Sequence, residues 1–168
     1  MHANNETGTL QPLVELAEIA HQRGALLHSD AAQSVGKLPV HPRELGVDLL
    51  TVAGHKLYAP KGIGALYVRR DLLALPEPVI YGGGQEFGRR AGTENIAGIV
   101  ALSKACQLAA EQLPASQVYL SHLRDHLYQL LERALPGRVH LNGHSSERLP
   151  NTLNISIDGI IGERSEER

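Results

Sequence analysis

The segment GVDLLTVAGHKLYAPKGIGALYVRR, residues 46–70, restricts the possible folds more than any other part of the chain. Its two apolar runs, VDLLTVAG and IGALYVR, are short and rich in aliphatic residues, so both are expected as buried strands. Between them stand Gly54-His55-Lys56 and a Pro/Gly loop. A strand apolar on both faces needs covering elements on both sides, which calls for a layered sheet rather than a helical bundle. The lysine at the strand mouth needs a separate reason.

The flanking sequence supplies the covering layers. QPLVELAEIAHQRG predicts a helix: Pro12 suits its first turn, Leu13, Leu16, Ala17 and Ala20 repeat at three and four, and Gly24 ends it. ALLHSD follows as a short buried strand and AAQSVGK as a turn or short helix. Helix alternating with apolar β runs argues for an α/β sheet, parallel in part. Beyond residue 78 a glycine-rich stretch, VIYGGGQEFGRRAGTEN, leads to a helix from about Asn95 to Leu113. Its apolar stripe is Ile99, Leu102, Cys106, Ala109 and Leu113, which makes Cys106 a small core residue. Pro114 is expected to break that helix. A second then runs to about Leu135, with Leu120, Leu123, Leu127 and Leu131 on its buried face. GRVHLNG and LPNTLNISIDG read as strands of a smaller unit, so the expected division is 1–113 and 114–168.

The polar opening MHANNETG has no strand before it to support it, and the last strand runs into the charged GERSEER. Both ends are read as edges of a larger fold. Hydrophobic residues at 42% and charged residues at 20% of the 168 mark a folded globular protein. A formal net charge of −2 gives no general attraction to nucleic acid or acidic membranes. No basic leader precedes an apolar stretch and no apolar run approaches ~18 residues, so neither secretion nor a membrane span is expected. Cys106 is the single cysteine, which fits a reducing, cytoplasmic setting.

The reactive side chains fall at strand ends. Asp30 closes one expected strand and Lys56 follows the next, and open α/β sheets gather ligands at those carboxyl ends. An amine desolvated there can form a Schiff base, and a carboxylate opposite can hold a protonated ring nitrogen, the pair that pyridoxal phosphate requires. The plain alternatives are a solvated loop lysine and a capping aspartate. Gly92-Thr93 before a helix, with Gly82–Gly84 and Arg89-Arg90, offers an anion site. APKGIG lacks P-loop spacing. His122 and His126 stand four apart on a helix without a third ligand, so no metal is expected.

Five blocks, MHANNETG, HSDAAQSVGKLPV, GVDLLTVAGHKLYAPKGIGALYVRR, GGGQEFGRRAGTEN and LPNTLNIS, together resemble the cysteine desulfurases, class V aminotransferase relatives among the fold-type I pyridoxal phosphate enzymes. Selenocysteine lyases share much of the pattern. The resemblance implies the second half of a fold-type I large domain, with a mixed, mostly parallel sheet, followed by an incomplete α+β small domain. It implies that Lys56 holds the cofactor covalently, Asp30 faces the pyridine nitrogen, and Gln33 bonds the phenolic oxygen. Asn5 then lies near that oxygen and the substrate carboxylate, and His55 contacts the phosphate. Thr93 matches the threonine that reaches the phosphate of a neighbouring subunit, which implies a homodimer. The substrate implied is L-cysteine or selenocysteine, with a sulfur-acceptor protein downstream, as in iron–sulfur cluster assembly. Ala53 replaces a serine that many members carry, removing one phosphate hydrogen bond. The family's amino-terminal phosphate-binding threonine and ring-stacking histidine, its sulfur-accepting cysteine loop and its substrate arginine have no counterparts in these residues. The open alternatives are therefore an inactive remnant acting through dimer contacts, and a selenocysteine lyase fragment.

Overall fold

In the computed structural model, which describes residues 1–72 and 76–162, the lysine segment sits at one end of a three-stranded sheet. Strand β1 (His28–Asp30) pairs in parallel with β2 (Leu49–Ala53), placing Asp30 opposite Thr51. Strand β3 (Gly64–Val68) pairs antiparallel with β2, from Leu49–Val68 to Ala53–Gly64. The sheet is therefore mixed, as expected. The short connection through residues 54–63 forces the antiparallel return, whereas the longer crossover through 31–48 permits a parallel pair. Gly54 closes the return by donating its N–H to the Ile63 carbonyl at 3.0 Å. A Cβ at Gly54 would lie 2.6 Å from that same oxygen, so no other residue fits the crossing.

Helix α1 (Leu13–Gln22) covers one face, burying Leu13 and Ala17 while Leu16 stays 41% exposed. Leu13 joins Ala31, Val47 and Leu50 in the main core, flanked by Leu27, Val35 and Val52. Val35 and Val52 also border a second cluster, in which Leu57 and Ala59 pack on Leu102 of the long helix α2 (Ile96–Ala134). That contact fixes the turn carrying Lys56 against α2.

Helix α2 corrects two expectations. It runs 39 residues straight through Pro114 instead of breaking there. Proline removes one N–H and its ring crowds the carbonyl four residues back. The flanking Ala, Gln, Glu and Leu positions are good helix formers, and α2 continues across the defect. Its start is as expected: the Asn95 side chain caps it, accepting the Gly98 N–H at 3.0 Å. Cys106, expected in the core, is exposed. The packed stripe is narrower than the apolar pattern, following Leu102, Ala105 and Ala109, and Cys106 falls beside it. Leu123 and Leu127 are likewise 44% and 50% exposed.

Strands β4 (Val139–Leu141) and β5 (Ile155–Ile157) form a separate antiparallel pair. The opening segment is not unsupported. His2 donates its backbone N–H to the Asp30 carbonyl at 2.7 Å, and its ring Nδ1 lies 2.9 Å from Ser34 Oγ. On the other side the buried Arg148 donates to the Thr7 carbonyl at 3.1 Å, and Leu149 donates its N–H to Gly8 at 2.9 Å. The support comes from residues far along the chain, not from a preceding strand. Residues 163–168 of the charged tail lie outside the described residues.

Candidate active site

Lys56 stands on a single 3₁₀ turn, Gly54–Leu57, that follows β2 directly. Leu57 is buried beneath the turn, which forces the preceding His55 and Lys56 outward. Tyr58 then reverses the chain at φ +64°, a left-handed conformation uncommon for a bulky residue. Asp30 ends the parallel neighbour β1, so acid and amine both occupy the carboxyl ends of adjacent parallel strands. One carboxylate oxygen of Asp30, Oδ1, accepts the Ala32 N–H at 2.7 Å, which caps the turn holding Gln33. The other oxygen makes no protein hydrogen bond among the described residues. Lys37 Nζ donates to the Gln33 carbonyl at 3.0 Å and steadies the same turn.

Asn5 is exposed in a turn built by its neighbour: Asn4 Oδ1 accepts the N–H groups of Glu6 at 2.9 Å and Thr7 at 2.8 Å. The His2–Asp30 backbone bond lays the start of this segment beside the end of β1. Thr93 lies exposed ahead of α2, and Gly92 donates its N–H to Gln85 Oε1 at 3.2 Å. Arg89 and Arg90 are exposed in the preceding loop, where Glu86 and Phe87 adopt positive φ values of 49° and 59°. Among the described residues no hydrogen bond or ion pair links Thr93, Arg89 or Arg90 to Asp30, Gln33, His55 or Lys56.

Lys56 also lines a cavity of about 540 Å³ between its turn and α2, together with Lys37, Lys104, Leu57, Leu108 and Asn151. Asn5, Asp30, Gln33, His55 and Thr93 are not part of that lining. The Lys37 ammonium is held below its usual range, first by burial and then by the positive charge of Lys56. Sequence reasoning missed Lys37 and Lys104. Lys37 sits after a glycine in a turn and Lys104 on an ordinary helix face, and only the packing of α2 on the turn brings them together. The rings of His122 and His126 stack with centroids 6.1 Å apart. Among the described residues no three His, Cys, Asp or Glu side chains group as a metal site, and no helix is long and apolar enough to cross a membrane.

The chain is similar to known proteins along nearly its whole length. The family model described as aminotransferase class-V matches residues 1–166. A cysteine desulfurase of Gluconacetobacter diazotrophicus is 51% identical over 97% of this chain, and the IscS cysteine desulfurase of Dictyoglomus turgidum is 47% identical over 97%. The chain spans 40% and 41% of the length of these two relatives. Among solved structures, a NifS-like protein from Rickettsia africae superposes with a TM-score of 0.89 at 32% identity, covering 97% of this chain and 44% of that one. SspA, solved in complex with cysteine, superposes at 0.77 with 34% identity, covering 99% and 46%.

Proposed function

Because the chain belongs to the class-V aminotransferase family, with the fold of the NifS-like fold-type I enzymes, we propose that it is the lysine-bearing section of a pyridoxal phosphate-dependent cysteine desulfurase. The observation that carries this reading is the placement of Lys56 and Asp30 at the carboxyl ends of the parallel strands β2 and β1. The residues fit the cofactor: an exposed amine without a hydrogen bond or ion pair among the described residues, and a carboxylate with one free oxygen in the neighbouring strand end. When bound, pyridoxal phosphate supplies an electron sink for charge developed at the substrate's α-carbon.

The chain's own groups then have distinct tasks. Lys56 supplies the amine that holds the cofactor and afterwards moves a proton at the substrate α-carbon. Asp30 holds the proton on the ring nitrogen, its orientation set by the Ala32 N–H. Gln33 orients the phenolic oxygen, and Asn5 orients the substrate carboxylate. His55 and Thr93 bind phosphate, Thr93 toward a neighbouring subunit. Ala53 offers no hydroxyl to that phosphate.

L-cysteine as substrate is supported by the cysteine desulfurase relatives and by the cysteine complex of SspA. Residues 1–113 would belong to the cofactor-binding domain and 114–168 to the connecting helix and small domain. We assign the protein to the cytoplasm and to sulfur delivery toward an acceptor protein. The experiment is addition of pyridoxal phosphate to the purified chain, followed by borohydride reduction and peptide mass spectrometry. A visible band with the label on Lys56, both lost in Lys56→Ala, is the expected result. A folded protein without a band, or a label that persists elsewhere in Lys56→Ala, overturns the reading.

A further inference from the structure

The cavity between the Lys56 turn and α2 has a chemistry that the cofactor reading does not use. Three lysines, Lys37, Lys56 and Lys104, are among its lining residues, and among the described residues no Asp or Glu is. Their stems and neighbours Leu57, Ala105 and Leu108 make its walls apolar. Two of the three amines have acceptors outside the lining: Lys37 the Gln33 carbonyl at 3.0 Å and Lys104 the exposed Gln107 Oε1 at 3.1 Å. Each ammonium has three donors, so both keep donors to spare. We propose that this cavity binds a small organic anion with an apolar body, its acidic group drawn by Lys37 and Lys104.

The size suits such a ligand. A volume of about 540 Å³ falls in the range of small-molecule sites, roughly 300–1,000 Å³. Apolar walls with a few convergent charges favour a molecule that is hydrophobic along most of its length and charged at one end. A bound anion would also relieve the repulsion from Lys56 that, after burial, lowers the Lys37 ammonium. The inference goes beyond the cofactor reading and does not depend on it, because it uses Lys56 only as a positive charge.

The test uses two fluorescent probes of similar aromatic shape on the full chain. Anilinonaphthalene sulfonate carries an anion, and phenylnaphthylamine does not. One saturable sulfonate site is expected, weakened by added salt and by about tenfold in the double variant Lys37→Met, Lys104→Met, with phenylnaphthylamine unchanged. Lys104→Gln alone, on the exposed surface of α2, guards against misfolding of the double variant and is expected to weaken the sulfonate about threefold. Unchanged sulfonate affinity in Lys104→Gln, or equal loss of both probes, overturns the proposal. Neither probe contains a carbonyl and both variants keep Lys56. Failure here is therefore distinct from failure of the pyridoxal phosphate band in the unmodified chain.

Discussion

Arg69 closes over the buried Asp48, its Nη1 lying 2.6 Å from the carboxylate Oδ1. The carboxylate has no exposed side-chain surface, while the arginine is 36% exposed. On its other oxygen, Asp48 accepts the Leu27 N–H at 2.7 Å and meets His21 Nε2 at 2.9 Å. One side chain therefore ties the last turn of α1, the approach to β1 and the exit from β3. The sheet end that presents Asp30 and Lys56 is held in register from its opposite end.

Replacing Asp48 by alanine leaves the Leu27 N–H without its partner and opens a polar gap in the core. The expected loss is about 3 kcal/mol, the scale for breaking a buried charged network. Urea denaturation followed by circular dichroism measures it. Arg69→Ala should also destabilise, because Asp48 is then left buried with fewer partners.

Acid should destabilise the fold in two stages. Burial, followed by the charge of the terminal amine, lowers the His2 imidazole from 6.5, so the unfolded chain takes that proton first. The His2 contribution is therefore present above about pH 6.5 and is lost as pH falls through the lower folded value. For Asp48, burial alone would raise the carboxyl. The Leu27 N–H, His21 and Arg69 outweigh it and hold the group below 3.8. Its contribution is present above about pH 4 and is lost on further acidification. Urea midpoints between pH 8 and 3 should fall in both windows, and His2→Gln should remove the upper one.

The sheet was legible because its signals are local. The runs around Leu50 and Leu66 are apolar and bounded by Gly and Pro, and they became β2 and β3. Lys56 and Asp30 were legible as strand-end groups for the same reason. What the local pattern could not reveal was any feature made by distant partners. The opening segment looked unsupported because Ser34 and Arg148, which hold it, lie far along the chain. Cys106 looked like a core residue because an apolar stripe in sequence does not say how wide the facing surface is. Lys37 and Lys104 come to line one cavity only through the packing of α2 on Leu57.

Gly36 sets how closely that packing can approach. Its φ is +77°, and an added Cβ would run into Leu57 Cδ2 and come within 3.2 Å of the Ala109 Cβ. Leu57 is 6% exposed and locked between the turn and Leu102, so it has little room to yield. Gly36→Ala should cost about 1–3 kcal/mol through backbone strain and overpacking. It should also displace the Lys56 turn, so labelling of Lys56 by pyridoxal phosphate in the folded variant should slow relative to the unmodified chain. Unchanged stability and labelling would mean that α2 does not hold the turn.

Pro114 offers the clearest test of the continuous helix. If α2 spans residues 96–134 without a break, the proline occupies a helix interior, where it supplies no N–H to the Ala110 carbonyl and crowds it. Alanine there restores the hydrogen bond and removes the clash. Proline's restriction of the unfolded chain offsets part of the gain, so Pro114→Ala should stabilise by about 1–3 kcal/mol. Were the chain instead two helices meeting at this residue, proline would fit the first turn of the second and alanine would bring no gain. Thermal melting of the two proteins separates the cases, and amide exchange at residues 111–118 locates the effect. Slower exchange there in Pro114→Ala is expected, because the added bond closes the weakest turn of α2.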